Sequence, residues 1–415
     1  MSEQTVSKPA RARTAAGSVV DRAAMRIMLG AVRRIRIGRL TIELPDGTSQ
    51  VFGDPASEVS AAVRLHDPAA MLRMVLGGDT GAGEAYMDGT WSSPDLPALL
   101  KLASLNREAL GLSGGWWRIP LRLQKTLRHR ARRNTVHQSK RNIAAHYDLG
   151  NDFYRLFLDE TLTYSSAVFE TPGQSLADAQ RNKYRLLAEG AGLRGGEHVL
   201  EIGSGWGGFA LYAAGELGCR ITTVTISEAQ RQLATERVRE AGLSGLVDVQ
   251  LRDYREIEGT YDAIVSIEML EAVGAEFLET YFRVCDRSLK PGGRASIQTI
   301  AFPDVTYEPQ RRGANWIQTY IFPGGFLPSL AAIEHSLHST NLLIRSATDI
   351  GPHYVRTLAT WRSSFFAHID EVRAMGFDER FVRMWDYYLS ISEAGFATGR
   401  VQDFQLSLEK ARALR

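Results

Sequence analysis

From about residue 142 onward, apolar runs and helical stretches take turns along the chain. The runs HVLEIG, RITTVTIS, VDVQLRDY, YDAIVSIEML and GRASIQTI read as strands. Between and after them, FALYAAGEL, EAQRQLATERVREAG and FLETYFRVCDRSL read as helices. That alternation predicts an α/β architecture, a doubly wound sheet with ligands at the carboxyl ends of its strands. Residues 19–112 read as a small α+β amino-terminal domain. There, strand-like pieces (IGRLTIELPDG, SQVFG, AAVRLH) mix with helical ones (DPAAMLRMVLGG, SPDLPALLKLASLN). Residues 1–18, rich in Ala, Arg and Ser, predict a disordered tail. Residues 113–141 predict a basic, Trp-led linker or arm, and 142–415 the main domain. No internal repeat is visible.

Composition adds bounds rather than a function. With 415 residues and 44% hydrophobic content, the chain has room for two or three domains with a substantial core. A net charge of +2 conceals the segment 118–141, which carries nine Lys or Arg and no acid. Cys219 and Cys285 sit in apolar surroundings at no metal-ligand spacing, so two buried thiols are expected and no metal site is implied. The opening MSEQTVSKPARARTAAGS lacks the apolar stretch of a secretory leader, and no run approaches the length of a spanning helix. The expectation is a cytoplasmic protein that touches a membrane only from its surface.

Candidate chemistry begins at VLEIGSGWGG, residues 199–208. Gly203, Gly205 and Gly208 satisfy G-x-G-x-x-G, a weak signal alone. A dinucleotide site also wants an acid about 20 residues on, to bind the ribose. The next strand ends TVTIS with none, so NAD loses ground. Glu201, just before the glycines, suits a cationic cofactor whose ammonium or hydroxyls need an acceptor, and S-adenosylmethionine is such a cofactor. Asp253, directly after VDVQL, is placed to accept from an adenine amine at the same crevice.

The segments HYDLGNDFYRLFLDETLTYSSAVFE, VLEIGSGWGG, TVTISEAQ, LRDYRE, SIEMLEAVG, YIFPGGFLPS and HYVRTLATW occur in this order. Together they resemble the cyclopropane-fatty-acyl-phospholipid synthases and the related mycolic-acid and methyl-branching fatty-acid methyltransferases. The resemblance is close over residues 142–400 and loose over the amino-terminal domain. It implies a class I methyltransferase (Rossmann-like) fold and S-adenosyl-L-methionine as cofactor. Tyr164, Ser165, Gly203 and Gly205 would contact the methionine part, and Thr225 and Gln230 would replace the usual acid at the ribose. The implied base is a bound bicarbonate, held at the positions of Ser166, Glu271, Gln298, the Ile300 amide and Tyr354. Two side chains depart from the family pattern, Ser166 for cysteine and Gln298 for histidine, and Ala272 stands where many ring formers have histidine. Glutamine donates a hydrogen bond but carries no charge, so ring closure is in doubt more than methyl transfer.

An unactivated alkene is a poor nucleophile. Its alkylation needs a sulfonium methyl held in line in a dry pocket, and stabilisation of the cation that forms. A proton then leaves, either closing a cyclopropane or, after a hydride shift, leaving an exomethylene, and the position of the base decides which. Bland readings stand beside these roles. Tyr354 also reads as a structural hydroxyl at a helix start, Glu271 as a cap for AVGAEFL, and Glu268 is an equally placed strand-end carboxylate. His146 reads as a packed polar residue that positions a lid.

The first reading is therefore an enzyme alkylating cis-unsaturated acyl chains of phospholipid. A small-molecule or nucleic-acid methyltransferase is the second, and a catalytically silent lipid-binding scaffold the third. Partners implied are a phospholipid bilayer and, compatibly, a second copy in a homodimer; no nucleic acid is expected. Any reduction of a methylene product to methyl would fall to a separate reductase. YIFPGGFLPS, apolar and glycine-hinged, is placed to line the acyl channel. Trp116, Trp117 and the basic residues up to 141 suit an anionic headgroup layer, where each cation contributes on the order of 1 kcal/mol. A phosphate-binding nucleic-acid arm and a solvated linker are the rival readings of the same segment. Neutralising Arg128, Arg130, Arg132 and Arg133 is expected to weaken co-sedimentation with anionic vesicles; unchanged co-sedimentation removes the membrane role.

Overall fold

The computed structural model describes residues 19–111, 149–311 and 315–412. They fall into two compact units, divided after residue 115. The tail 1–18, the arm from Trp116 to residue 141, and His146 lie outside the described residues.

In the first unit, β1 (Arg39–Glu43) pairs antiparallel with β2 (Ser49–Gly53) and parallel with β3 (Ser60–Leu65), which takes β4 (Trp91–Ser92) at its edge. The helix Leu96–Leu105 starts at Asp95, whose carboxylate accepts from the Ala98 amide, an N-cap. DPAAMLRMVLGG predicts a helix that ends at its glycines. Instead the helix runs from Ala69 to Met87 and breaks its geometry only at Gly78 (φ 58°). Glycine alone reaches that conformation without strain, so the chain kinks and resumes.

The second unit is built on a seven-stranded sheet in the order β10-β11-β9-β8-β5-β6-β7. Five strands run parallel: β5 (His198–Ile202), β6 (Arg220–Thr225), β7 (Val247–Leu251), β8 (Tyr261–Ile267) and β9 (Leu289–Ala301). They coincide with the five apolar runs of the sequence, because a parallel strand covered on both faces is apolar on both faces. Two antiparallel strands were not expected from the pattern: β10 (Leu342–Asp349) and β11 (Gln402–Lys410).

After β5 the chain builds outward through β6 and β7, then returns to build the other side through β8 and β9. The reversal between β5 and β8 opens a crevice at their carboxyl ends, the place where such sheets bind ligands. Crossover helices Gly208–Leu217 and Glu228–Glu240 follow β5 and β6, the latter capped by Ser227 accepting from the Gln230 amide. Helices Gly351–Ala367 and Glu379–Ala397 bring Trp361, Trp385 and Tyr388 to the other flank. Cys219 and Cys285 are free and buried. No helix among the described residues is long and apolar enough to cross a membrane.

Leu200, Ile264, Ile297 and Leu406 are all fully buried in the core that fixes the register of β5, β8, β9 and β11. Ile264→Ala is expected to cost about 2–5 kcal/mol, read as a lower urea midpoint at unchanged slope.

Candidate active site

Gly203, Gly205 and Gly207 all take positive φ (95°, 49° and 84°), so the turn after β5 folds tightly and presents backbone at the crevice. A methyl group at Gly208 would collide with the Tyr184 hydroxyl, which explains the next glycine. Arg237 fastens the turn from outside, its Nη1 donating to the carbonyls of Trp206 (2.6 Å) and Thr161 (3.1 Å).

One pocket is lined by Tyr164, Ser165, Glu201, Gly203, Gly205, Thr225, Gln230 and Asp253, so the structure brings the expected cofactor residues together. Thr225 Oγ1 donates to Gln230 Oε1 at 2.8 Å, which leaves the Gln230 amide nitrogen as a donor for the crevice. The Asp253 carboxylate, 3% exposed, is held by Arg255 through Nε and Nη2, both at 2.8 Å. Glu201 is 2% exposed, and its Oε2 has no hydrogen-bond partner. Burial pushes its carboxyl up to about 8. An orphaned buried acceptor beside a glycine cradle fits the ammonium of S-adenosylmethionine, with Thr225, Gln230 and Asp253 left for the ribose and adenine.

Glu268 and Glu271 line the same pocket beyond the cofactor residues. The groups expected around bicarbonate gather at these two carboxylates. The Ser166 amide (2.9 Å) and Gln298 Nε2 (2.9 Å) both donate to Glu268 Oε1, and the Tyr354 hydroxyl donates to Oε2 (2.8 Å). The Ile300 amide donates to Glu271 Oε1 at 2.5 Å, joined by Thr299 Oγ1 at 3.0 Å. The Ser166 amide, Gln298 Nε2, the Tyr354 hydroxyl and the Ile300 amide are thus each engaged by Glu268 or Glu271, while Glu271 Oε2 has no hydrogen-bond partner. The Ser166 hydroxyl turns away, to the Ala167 carbonyl, so only its backbone faces the site. Glu271 caps no regular helix; it lies in a short 3₁₀ turn, Leu270–Ala272.

The electrostatics are those of a crowded acid cluster. Behind Gln298 lies Asp403 of β11, fully buried, its Oδ2 accepting from the same Nε2 at 2.9 Å. Burial raises the carboxyls of Glu268 and Asp403, and burial with the Glu268 charge pushes Glu271 up to about 8. Lys183, fully buried, donates to Ser165 Oγ (2.5 Å) and is pulled down to about 8 by burial, against the charges of Glu268 and Asp403. Aromatic rings close the flank: Tyr164 stacks on Trp361 at 5.2 Å and donates to the Tyr388 hydroxyl, and Tyr354 stacks on Phe396 at 4.4 Å. Such faces attract a developing cation without being strong nucleophiles. Lys183, Asp403 and Tyr388 carried no signal in the sequence pattern, and Trp361 appeared only as the end of the segment HYVRTLATW. Only the clustering of acids in SIEMLE hinted at Glu268.

The family model described as mycolic acid cyclopropane synthetase matches residues 134–406. The chain belongs to the mycolic acid cyclopropane synthetase family. Over 378 residues it is 41% identical to tuberculostearic acid methyltransferase UfaA1 of Mycobacterium tuberculosis, covering 89% of this chain and 87% of that protein. Over 352 residues it is 36% identical to cyclopropane-fatty-acyl-phospholipid synthase of Escherichia coli strain K12, covering 83% and 86%. Among solved structures, mycolic acid cyclopropane synthase CmaA1 complexed with SAH and CTAB aligns with a TM-score of 0.61 at 30% identity, over 65% of this chain and 98% of that one. The fold is that of the class I methyltransferases, and this family member is an S-adenosylmethionine-dependent methyltransferase of the cyclopropane-fatty-acyl-phospholipid synthase type.

When bound, S-adenosylmethionine supplies an electrophilic sulfonium methyl. A cofactor ammonium at Glu201 would pair most strongly with the carboxylate, so binding below its pKa would favour loss of a proton. Affinity for S-adenosylhomocysteine is expected to rise up to tenfold per pH unit toward about pH 8, then level. In Glu201→Gln the calorimetric pH dependence is expected to flatten.

Proposed function

We propose that this enzyme transfers a methyl(ene) carbon from S-adenosylmethionine to the cis double bond of an unsaturated fatty acyl chain in membrane phospholipid, leaving a methyl- or methylene-branched chain. The observation that carries this reading is the continuity of one pocket. Glu201 and Thr225 stand at its cofactor end, Glu268 and Glu271 beyond them, with the apolar turn Phe322, Pro323, Gly324 and Gly325 on its wall. A sulfonium methyl, an acyl chain and a base would thereby meet away from water.

Branching is favoured over ring closure by two lines. Gln298 and Ala272 stand where ring formers of the family commonly carry histidine. The relative at 41% identity is named a tuberculostearic acid methyltransferase. Access to a lipid substrate would be peripheral, from the cytoplasmic face, with the basic arm of the sequence as the membrane contact and a homodimer compatible with it.

The test is incubation of purified protein with S-adenosylmethionine and vesicles of cis-monounsaturated phospholipid, followed by mass spectrometry and proton NMR of the fatty acids. A mass gain of one CH₂ with vinylidene protons is expected. The same gain with upfield ring protons overturns branching in favour of cyclopropanation, and no gain overturns the lipid substrate.

A further inference from the structure

We propose that the Glu268 carboxylate is the enzyme's own base, standing where the family resemblance places bicarbonate, so that turnover needs no bicarbonate. The inference rests on the alkene-alkylating reading above and concerns only how the proton leaves.

Four observations converge on it. First, the Glu268 carboxylate accepts from three of the five groups implied as bicarbonate ligands, the Ser166 amide, Gln298 Nε2 and the Tyr354 hydroxyl. Secondly, the other two, Glu271 and the Ile300 amide, are bonded to each other. Of that set only Glu271 Oε2 lacks a partner, and a second carboxylate-like anion would meet Glu268 as a like charge. Thirdly, Glu268 is one of two non-glycine residues among those described with positive φ (48°). A glutamate in that conformation costs on the order of 1 kcal/mol or more, strain that persists where surrounding structure fixes a functional geometry. The restraint here is the Glu268 amide, which donates to the Gln298 carbonyl at 2.8 Å and continues the β8–β9 ladder. Fourthly, Gln298 cannot turn round. Turning it would set Oε1, which now accepts from Gln405 Nε2 at 3.3 Å, against the oxygens of Glu268 and Asp403, so its Nε2 stays committed to them.

The chemistry balances without a co-reactant. The alkene pair forms the new C–C bond as the methyl leaves sulfur, so the sulfonium becomes a neutral thioether and the acyl chain holds the cation. A 1,2-hydride shift moves that cation to the carbon bearing the methyl. Glu268 then takes one proton from the methyl, and the C–H electron pair becomes the exomethylene double bond. The glutamic acid so formed loses its proton to water to reset. Tyr164, on the pocket wall and backed by Trp361, faces the cation, while Glu268 receives the proton.

The decisive comparison is wild-type turnover in carbon-dioxide-depleted buffer against the same buffer with added bicarbonate. Equal rates are expected, and [¹³C]bicarbonate NMR is expected to show no saturable binding. Glu268→Gln is expected to lose on the order of 10²–10⁴-fold in kcat. Its S-adenosylhomocysteine affinity and melting temperature should stay near wild type, and Glu268→Asp should regain part of the rate. Wild-type turnover that falls without bicarbonate overturns the proposal while leaving the proposed function standing, as does a Glu268→Gln rate equal to wild type. Absence of lipid alkylation by wild type in both buffers overturns the function itself, and the proposal with it. The bicarbonate comparison needs no variant, so a misfolded substitution leaves the test intact.

Discussion

A carboxylate held ready inside an apolar pocket is the constraint around which this site is arranged. Ionised carboxylates are costly to bury unless hydrogen bonds replace the lost water. Glu268 receives a backbone amide, a side-chain amide and a phenol, each from a different part of the chain: the segment after Thr163, strand β9 and the helix Gly351–Ala367. Glu271 and Asp403 are pushed toward the neutral form by burial and then by the Glu268 charge, which limits the number of anions the interior must hold. Lys183, on the helix Leu176–Gly190 and bonded to Ser165, is the cation that acts electrostatically on both Glu268 and Asp403.

The sheet supplies the other half of the geometry. Glu201 is near the end of β5 and Glu268 directly follows β8, two neighbouring parallel strands. Their order of building around the switch point places the cofactor acid and the base side by side, though 67 residues of chain separate them. The glycine turn clears room for the cofactor, and Arg237 keeps the turn from opening. A lipid chain entering past Phe322 would meet the sulfonium methyl with aromatic rings on one flank.

The five parallel strands and their crossover helices are legible in the sequence, because burial on both faces leaves an uninterrupted apolar signature. Strand β11, QDFQLSLEK, forms no continuous apolar run, since Phe404, Leu406 and Leu408, which enter the core, alternate with polar residues. The glycine turn and Glu201, which line one pocket, are legible because they lie within a few positions of each other. Asp403 is not legible, since its link to Glu268 passes through Gln298, 105 residues away along the chain. Glu268 is visible as an acid but not as the hub of the site. Its left-handed backbone and the convergence of three donors exist only in the folded molecule.

Strand β11 carries one more consequence, for biogenesis. It sits between β9 and β10, yet follows every other described element in chain order. Until it emerges, β9 and β10 each present an open edge of unpaired amides and carbonyls, the kind of surface that recruits foreign strands. The nascent chain therefore passes through a stage at which β5 to β9 are made but the strand that joins β10 to them is missing. During that stage the acid cluster lacks Asp403, and protection of those edges falls to whatever escorts the chain off the ribosome.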